Sequence, residues 1–560
     1  MLRQTTALHT KTLLVHGALC LSLLPLTSCK CGMPARTVSS HDAGLPVSRV
    51  WVADQGDGTY KNPILHADYS DPDVVRVGRD FYMVASSFQC APGLPILHSR
   101  DLVNWALIGH VYQQQPPAEV FARPQPGGGS WAPAIRYHKG EFYIYYPDPD
   151  YGIYMVKAKD PVGPWTEPLL VKKAKGWIDP CPFWDDDGRA YLTNALAASR
   201  SGIKSILVVN RMSPDGTRLL DDGVMVFDGH DKHPTLEGPK LYKRNGYYYI
   251  FAPAGGVEKG WQLVFRSRDI YGPYEERMVL AQGKTIINGP HQGAWVNTTT
   301  GEDWFVHFQD KGAYGRVVHL QPMRWVDDWP VMGVDEDGDG IGEPVLSYRK
   351  PKVGRTWPIQ TPPDSDEFAD PGLGLQWQWQ ANPQAGWAFP TGGLGFLRLF
   401  NVSLPEGCRN LFDVPNLLLQ KFPALQFTAT IKVTFTPRAD SEKTGLIVMG
   451  LDYAYIAVTK KADGLSVSQA VCKNVESGTA ETEEPAVPVA SNTFYLRVQV
   501  SDKAVCRFSF STDGKEFTSV GEPFQARKGK WIGAKVGVFA LRDGKTYESG
   551  YADLDWFRVE

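Results

Sequence analysis

The sequence predicts an all-β protein: a five-bladed β-propeller followed by a jelly-roll β-sandwich. Five segments repeat one another, beginning at Asp71, Trp131, Asp179, Glu237 and His291. Their starts lie about 50 to 60 residues apart, a period that belongs to propellers and other repeat arrays. Each has hairpin form, with apolar alternation, a turn built on Gly and a run rich in Tyr, Phe and Val. From Asp366 to Glu560 apolar alternation continues without the repeat, as in 425–431 and 494–500, which suits a two-sheet sandwich.

Further strand-like runs, such as 152–156 and 205–209, bring each unit to about four strands, the content of a propeller blade. The first strand of every blade lines the central channel, so residues at its start face one shared funnel. Three acids stand at matching places: Asp71 in Ser70-Asp71-Pro72-Asp73, Asp179 in Trp177-Ile178-Asp179-Pro180, and Glu237 in Leu236-Glu237-Gly238-Pro239. Asp and Gly-Pro also make turns, but turn chemistry alone does not explain carboxyls at one repeat phase. Asp73 is the nearest rival to Asp71, on the same strand face but off that phase.

At 560 residues the chain holds more than one domain. Its 17 Trp, 24 Tyr and 25 Phe suit β cores and also sugar binding, where flat rings stack on C–H faces. A net charge of −3 without a basic patch excludes nucleic acid as a partner. Arg3 and Lys11 precede an apolar stretch, 13–26, too short to span a bilayer. It ends in Leu26-Thr27-Ser28-Cys29, which resembles a bacterial lipobox with Cys29 as the lipidated residue. This predicts an exported, membrane-anchored lipoprotein of the periplasm or cell surface, held by lipid only. A cleaved signal peptide with Cys29 incidental is the alternative. The expected organisation is signal peptide 1–29, tether 30–55, propeller 56–350, Pro-rich linker 351–365 and sandwich 366–560. The final strand, 553–560, is expected to pair near Phe368. Cys90, Cys181, Cys408, Cys472 and Cys506 are scattered without a CxxC pair, so no zinc site is expected. Pairing of Cys472 with Cys506 stays open.

These motifs, in order, resemble glycoside hydrolase family 43. The resemblance rests on 62–65, Ser70-Asp71-Pro72-Asp73, Phe81-Tyr82-Met83, Pro92-Gly93-Leu94, 98–105, Trp131-Ala132-Pro133, Asp179-Pro180 and Glu237-Gly238-Pro239. The carboxy-terminal half resembles the concanavalin-like domain of the family's β-xylosidases and α-L-arabinofuranosidases. The resemblance implies Asp71 as general base, Glu237 as general acid, Asp179 as the residue that tunes and orients the acid, and inversion at the anomeric carbon. Inverting hydrolysis needs two carboxyls roughly 6.5–9.5 Å apart around the attacking water. A neighbouring carboxylate keeps the acid protonated by like-charge repulsion.

For the substrate pocket, the resemblance points to Arg316 as a sugar-contacting residue of the last blade. His291 is in phase with the acids, and the resemblance places it near the channel floor. Phe88 and Trp131 are candidate walls and Ile178 a further contact; Gln89-Cys90-Ala91 departs from the bulkier aromatic run of many relatives. No cofactor is needed for the chemistry. Asp335, Asp337 and Asp339 have calcium-loop spacing, with Gly340 after the third, but Leu346 stands where the twelfth-position Glu belongs. The loop reads equally as a structural Ca2+ clamp or a solvated acidic turn. The expected function is an inverting exo-glycosidase releasing terminal β-D-xylose and/or α-L-arabinofuranose from plant cell-wall oligosaccharides. An endo-acting arabinanase or xylanase and a non-catalytic surface glycan-binding lipoprotein are the alternatives.

Overall fold

The computed structural model describes residues 47–544 and 547–560. Cys29, the signal 1–29 and most of the expected tether lie outside the described residues. Five antiparallel four-stranded sheets follow one another along the chain. Their first strands are Asp73–Val77, Ala134–His138, Trp177–Trp184, Lys240–Arg244 and His291–Asn297, opening blades 1 to 5. Blade 5 ends at Trp329–Met332. The hairpin turns follow from local residues: at Lys139-Gly140 and Asn245-Gly246 both central residues have positive φ, the type I′ form that matches strand twist.

Alternation along the second strand of each blade buries both of its faces. In blade 2, Phe142, Ile144 and Tyr146 pack against blade 1 residues such as Tyr82 and Ile96. Tyr143 and Tyr145 pack the other way, against Leu192 and Met212 of blade 3. Similar apolar seams join blades 3 and 4, 4 and 5, and 5 and 1. Burial of this kind is worth about 1.5–3 kcal/mol per large side chain, and it fixes the strand starts around one axis. The segment before blade 1 closes the ring. Leu65 exchanges backbone bonds with Val318 at 3.3 and 3.1 Å. The Asn62 side chain bonds Leu320 in both directions at 2.9 Å, and Thr59–Lys61 pairs with Ser347–Arg349.

The second half is a two-sheet sandwich with its own core, including Trp377, Ile431, Leu446, Leu496 and Val538. The last strand, Tyr551–Val559, lies between Leu397–Phe400 and Phe427–Thr436. It meets the domain's start through one backbone bridge, Asp366 to Phe557, with both bonds at 2.8 Å, and through the Arg558–Glu367 ion pair at 2.7 Å. Cys472 and Cys506 do not pair. Both are free and buried, on strands of different sheets, with thiols directed at the carbonyls of Thr479 and Ala504. The end of the expected tether is packed: Ser48 Oγ donates to Asp364 Oδ2 at 2.6 Å, and Trp51 Nε1 to Pro63 O at 3.0 Å.

Candidate active site

The first strands enter their blades through one-residue bulges. In blade 3, Ile178 pairs with Ala195 but Cys181 with Thr193; in blade 5, His291 pairs with Phe308 but Gly293 with His307. In blades 1, 3, 4 and 5 the bulge residue takes a left-handed backbone: φ is 53° at Asp71, 56° at Asp179, 63° at Gly238 and 40° at Gln292. For non-glycine residues this costs on the order of 1–3 kcal/mol and gathers at functional sites. The bulges also correct the expected register. Asp71 and Asp179 share the bulge position, whereas Glu237 stands one residue earlier, level with Ser70, Trp131, Ile178 and His291. Two adjacent positions, not one, therefore carry acids into the channel.

Asp71 is buried and held from several sides. Its Oδ2 accepts from Ser70 Oγ at 2.7 Å and Ser86 Oγ at 2.6 Å. Arg316 Nη1 reaches Oδ1 and Oδ2 at 3.1 and 3.3 Å and Ser70 Oγ at 2.8 Å. The arginine is fixed in turn by its backbone N–H, which donates to Asp68 Oδ1 at 2.8 Å. Asp73 is occupied elsewhere, in an ion pair with Arg136 at 2.6 Å.

Asp179 accepts the Gly238 N–H at 2.7 Å, which ties it to the residue after Glu237. Burial first, then the Glu237 charge, and more weakly Asp71, push its carboxyl up to about 7. Asp179 therefore lies close enough to feel both other acids. The Gly238 N–H and the buried Lys240 ammonium, which donates to Pro133 O at 3.1 Å, pull the other way and favour the Asp179 anion.

Glu237 is the most open of the three, with 23% of its side chain exposed against 5% for Asp71. Its Oε1 lies 2.8 Å from His291 Nε2. His291 is fully buried and its Nδ1 has no partner. A buried N–H without an acceptor is rarer than a bare lone pair, so Nε2 carries the proton and donates to Oε1. Among the described residues no hydrogen bond is formed to Glu237 Oε2.

The walls are aromatic. Phe88 is buried with φ of 51°, and its ring lies 6.2 Å from half-buried Trp131. Ile178 packs in the core beside Trp131. Sequence reasoning missed the third ring, Trp531, from a sandwich loop. It lies 6.1 Å from Trp131, and the Arg316 guanidinium 5.9 Å from its ring. That loop is moored to the propeller by Gly533 N to Asp68 Oδ2 at 2.9 Å and Ala534 N to Ala313 O at 2.7 Å. A cavity of about 620 Å³ adjoins it, lined by Arg316, Trp531, Glu258, Asp310 and Lys528. In sequence, Trp531 is one aromatic among many, and only its glycine-flanked loop, Gly529 to Gly533, marks it. Ser70, Ser86 and Lys240 carried no chemical signal of their own.

Asp335, Asp337 and Asp339 bring carboxylate oxygens within 4.8 Å of one another, away from the channel acids' contacts. Asp335 already accepts from Gly338 N at 2.8 Å and Gly340 N at 3.2 Å.

Three carboxyls gathered in a propeller channel, one of them raised toward neutrality by burial and by its neighbours, are the groups a glycoside hydrolase needs. The chain belongs to glycosyl hydrolases family 43, whose description matches residues 60–330; residues 365–560 match the beta xylosidase C-terminal concanavalin A-like domain. The protein is similar to a putative β-xylosidase of Xylanibacter ruminicola, 43% identical over 488 residues and 86% of each chain. It is 33% identical to a β-xylosidase of Formosa agariphila, over 96% of this chain and 97% of that one. A non-reducing end α-L-arabinofuranosidase of Bacteroides ovatus is 28% identical, over 92% and 96%. Among solved structures, a xylan β-1,4-xylosidase from Bacillus halodurans superposes with a TM-score of 0.78 at 26% identity, covering 89% of this chain and 99% of that one.

Proposed function

We propose that this hydrolase is an inverting exo-glycosidase that releases terminal β-D-xylose and/or α-L-arabinofuranose from plant cell-wall oligosaccharides. One observation carries the reading: Asp71 with Arg316, Asp179 with Gly238, and Glu237 with His291 meet in one channel. Asp71 takes a proton from a water on one face of the sugar. The water oxygen bonds to the anomeric carbon while the glycosidic C–O bond breaks. Glu237 Oε2 gives its proton to the departing oxygen on the other face, so configuration inverts. Burial and the Glu237 charge raise Asp179 to about 7, so the two carboxyls act on each other directly. The Gly238 N–H that Asp179 accepts ties it to the backbone beside Glu237 and so orients the acid. Phe88, Trp131 and Ile178 would flank the sugar, and Arg316 steadies the base.

The exo reading is supported by the Trp531 loop, which sets a sandwich ring 6.1 Å from Trp131 and beside Arg316. The test is a panel of nitrophenyl β-D-xyloside, nitrophenyl α-L-arabinofuranoside and linear oligosaccharides, with released sugars identified. Monosaccharide release supports the reading; internal cleavage without monosaccharide rejects it.

Two narrower parts of the proposal rest on sequence. Export with lipid attachment at Cys29 is supported by the 13–29 segment; radiolabelled palmitate should label the wild type and not Cys29→Ala. A structural Ca2+ at Asp335, Asp337 and Asp339 is supported by the spacing of the three acids and by their clustered oxygens. It would brace the loop after blade 5 and take no part in the chemistry.

A further inference from the structure

Two lysines of the sandwich direct their ammonium groups at one acceptor where the sandwich meets the propeller. Lys421 Nζ and Lys535 Nζ donate to Gln378 Oε1 at 3.1 and 3.3 Å. Lys535 also lies 3.0 Å from Cys90 Sγ of the propeller. Among the described residues, neither lysine forms an ion pair with a carboxylate. Asp68 acts on Lys421 from farther off, but its two oxygens already accept the N–H groups of Arg316 and Gly533. The two ammonium groups share one carboxylate at a distance, with the Cys90 sulfur and the Tyr69 ring, 5.3 Å from Lys421 Nζ, beside them, so positive charge in this poorly solvated seam is incompletely compensated, which is costly. The effect reaches the neighbours. Burial and then Lys535 push Lys421 down to about 8, and burial followed by Lys421 and Lys535 pushes His110 down to about 3.

Lys421 lines a cavity of about 60 Å³, shared with His66, His110, Trp51, Tyr69 and Gln376. This exceeds the roughly 10–15 Å³ that one water needs by the same measure. Both ring nitrogens of His66, and Gln376 Oε1, are buried there without partners. Water can satisfy these atoms but cannot balance the charge. Asp364 also lines the cavity. Its carboxyl is engaged by the hydroxyls of Ser48 and Ser365 at 2.6 and 3.0 Å, and burial pushes it up toward the neutral form.

We propose that this cavity binds one small monovalent anion, of halide or formate size, with Lys421 as its cationic anchor and His66 and His110 as further N–H donors. The anion neutralises the seam and leaves Asp68 free to hold Arg316 and the Trp531 loop. The test uses the full chain in sodium gluconate, with bromide replacing gluconate at constant ionic strength. Melting temperature should rise with bromide and saturate, and crystals soaked in bromide should show an anomalous peak beside Lys421. Lys421→Met should lose both. If that variant does not fold, diffraction from the wild type decides. Identical melting in bromide and gluconate, or anomalous peaks confined to the outer surface, would overturn the proposal and leave the cavity to water.

Discussion

Arg316 holds both oxygens of Asp71, at 3.1 and 3.3 Å, across the closure of the propeller ring. Arg316 opens the third strand of blade 5, and Asp71 precedes the first strand of blade 1. Their meeting depends on the Leu65–Val318 and Asn62–Leu320 bonds that join the ends of the ring. The same guanidinium lies beside Trp531. One residue thus links the proposed base, the ring closure and the sandwich loop.

Asp71→Asn should reduce kcat by about 100- to 10,000-fold, the range for losing a general base, while the protein still binds xylose or arabinose. Arg316→Lys keeps the charge but not the planar fork, and should fall between wild type and Asp71→Asn. Steady-state kinetics with calorimetric sugar binding check both. Loss of binding together with turnover in Asp71→Asn would mark a structural role.

Glu237→Ala should hurt substrates with poor leaving groups far more than activated aryl glycosides, because a good leaving group departs without a proton. A plot of rate against leaving-group acidity should steepen. Equal loss on both classes would contradict the acid assignment.

Much of this was legible from residues alone. The repeat of Gly-centred hairpins marked the blades, and Asp71, Asp179 and Glu237 stood out because core packing has no use for carboxyls at strand starts. The one-residue offset of Glu237 was hidden because a bulge changes register without changing composition. Gly238 and Gln292, which occupy the bulge in blades 4 and 5, carry no acid to betray it. Trp531 was hidden for another reason: its role comes from docking between two separately legible units. The 47–55 segment read as tether because its anchors, Thr361 and Asp364, lie more than 300 residues later.

Asp179 gives a pH-dependent stability signature. Its carboxyl rises from the ordinary 3.8 to about 7 in the folded protein. The folded state therefore binds this proton more tightly than the unfolded one. Its contribution is fully present below about pH 4 and is lost as pH rises through 7, at about 1.4 kcal/mol per pH unit between those values. Asp179→Asn cannot titrate, so the variant should gain on the wild type between pH 4 and 7. Asp148, also raised to about 7 by burial, is present in both and cancels. Urea denaturation at pH 5 and pH 8 measures the difference; an equal gap at both would contradict the shift.

Trp531→Ala removes one aromatic wall and opens the mouth. KM for short substrates should rise about tenfold, the ~1.4 kcal/mol expected of one such ring. Longer oligosaccharides should begin to be cut internally. Unchanged KM and unchanged product pattern would show that the ring does not border bound sugar.

If Ca2+ occupies the acidic loop, added calcium should raise the melting temperature and a chelator should lower it. Asp337→Ala should abolish the difference, with kcat preserved throughout. Identical melting with calcium and with chelator would leave the loop as a solvated turn.

The geometry of Asp71 and Glu237 is tested most directly by the anomer released first. Proton NMR of the hydrolysis of a β-D-xyloside, recorded before the sugar equilibrates, should show α-xylose appearing ahead of β-xylose. First release of β-xylose would mean retention, and would contradict a base and an acid acting on opposite faces of one glycone.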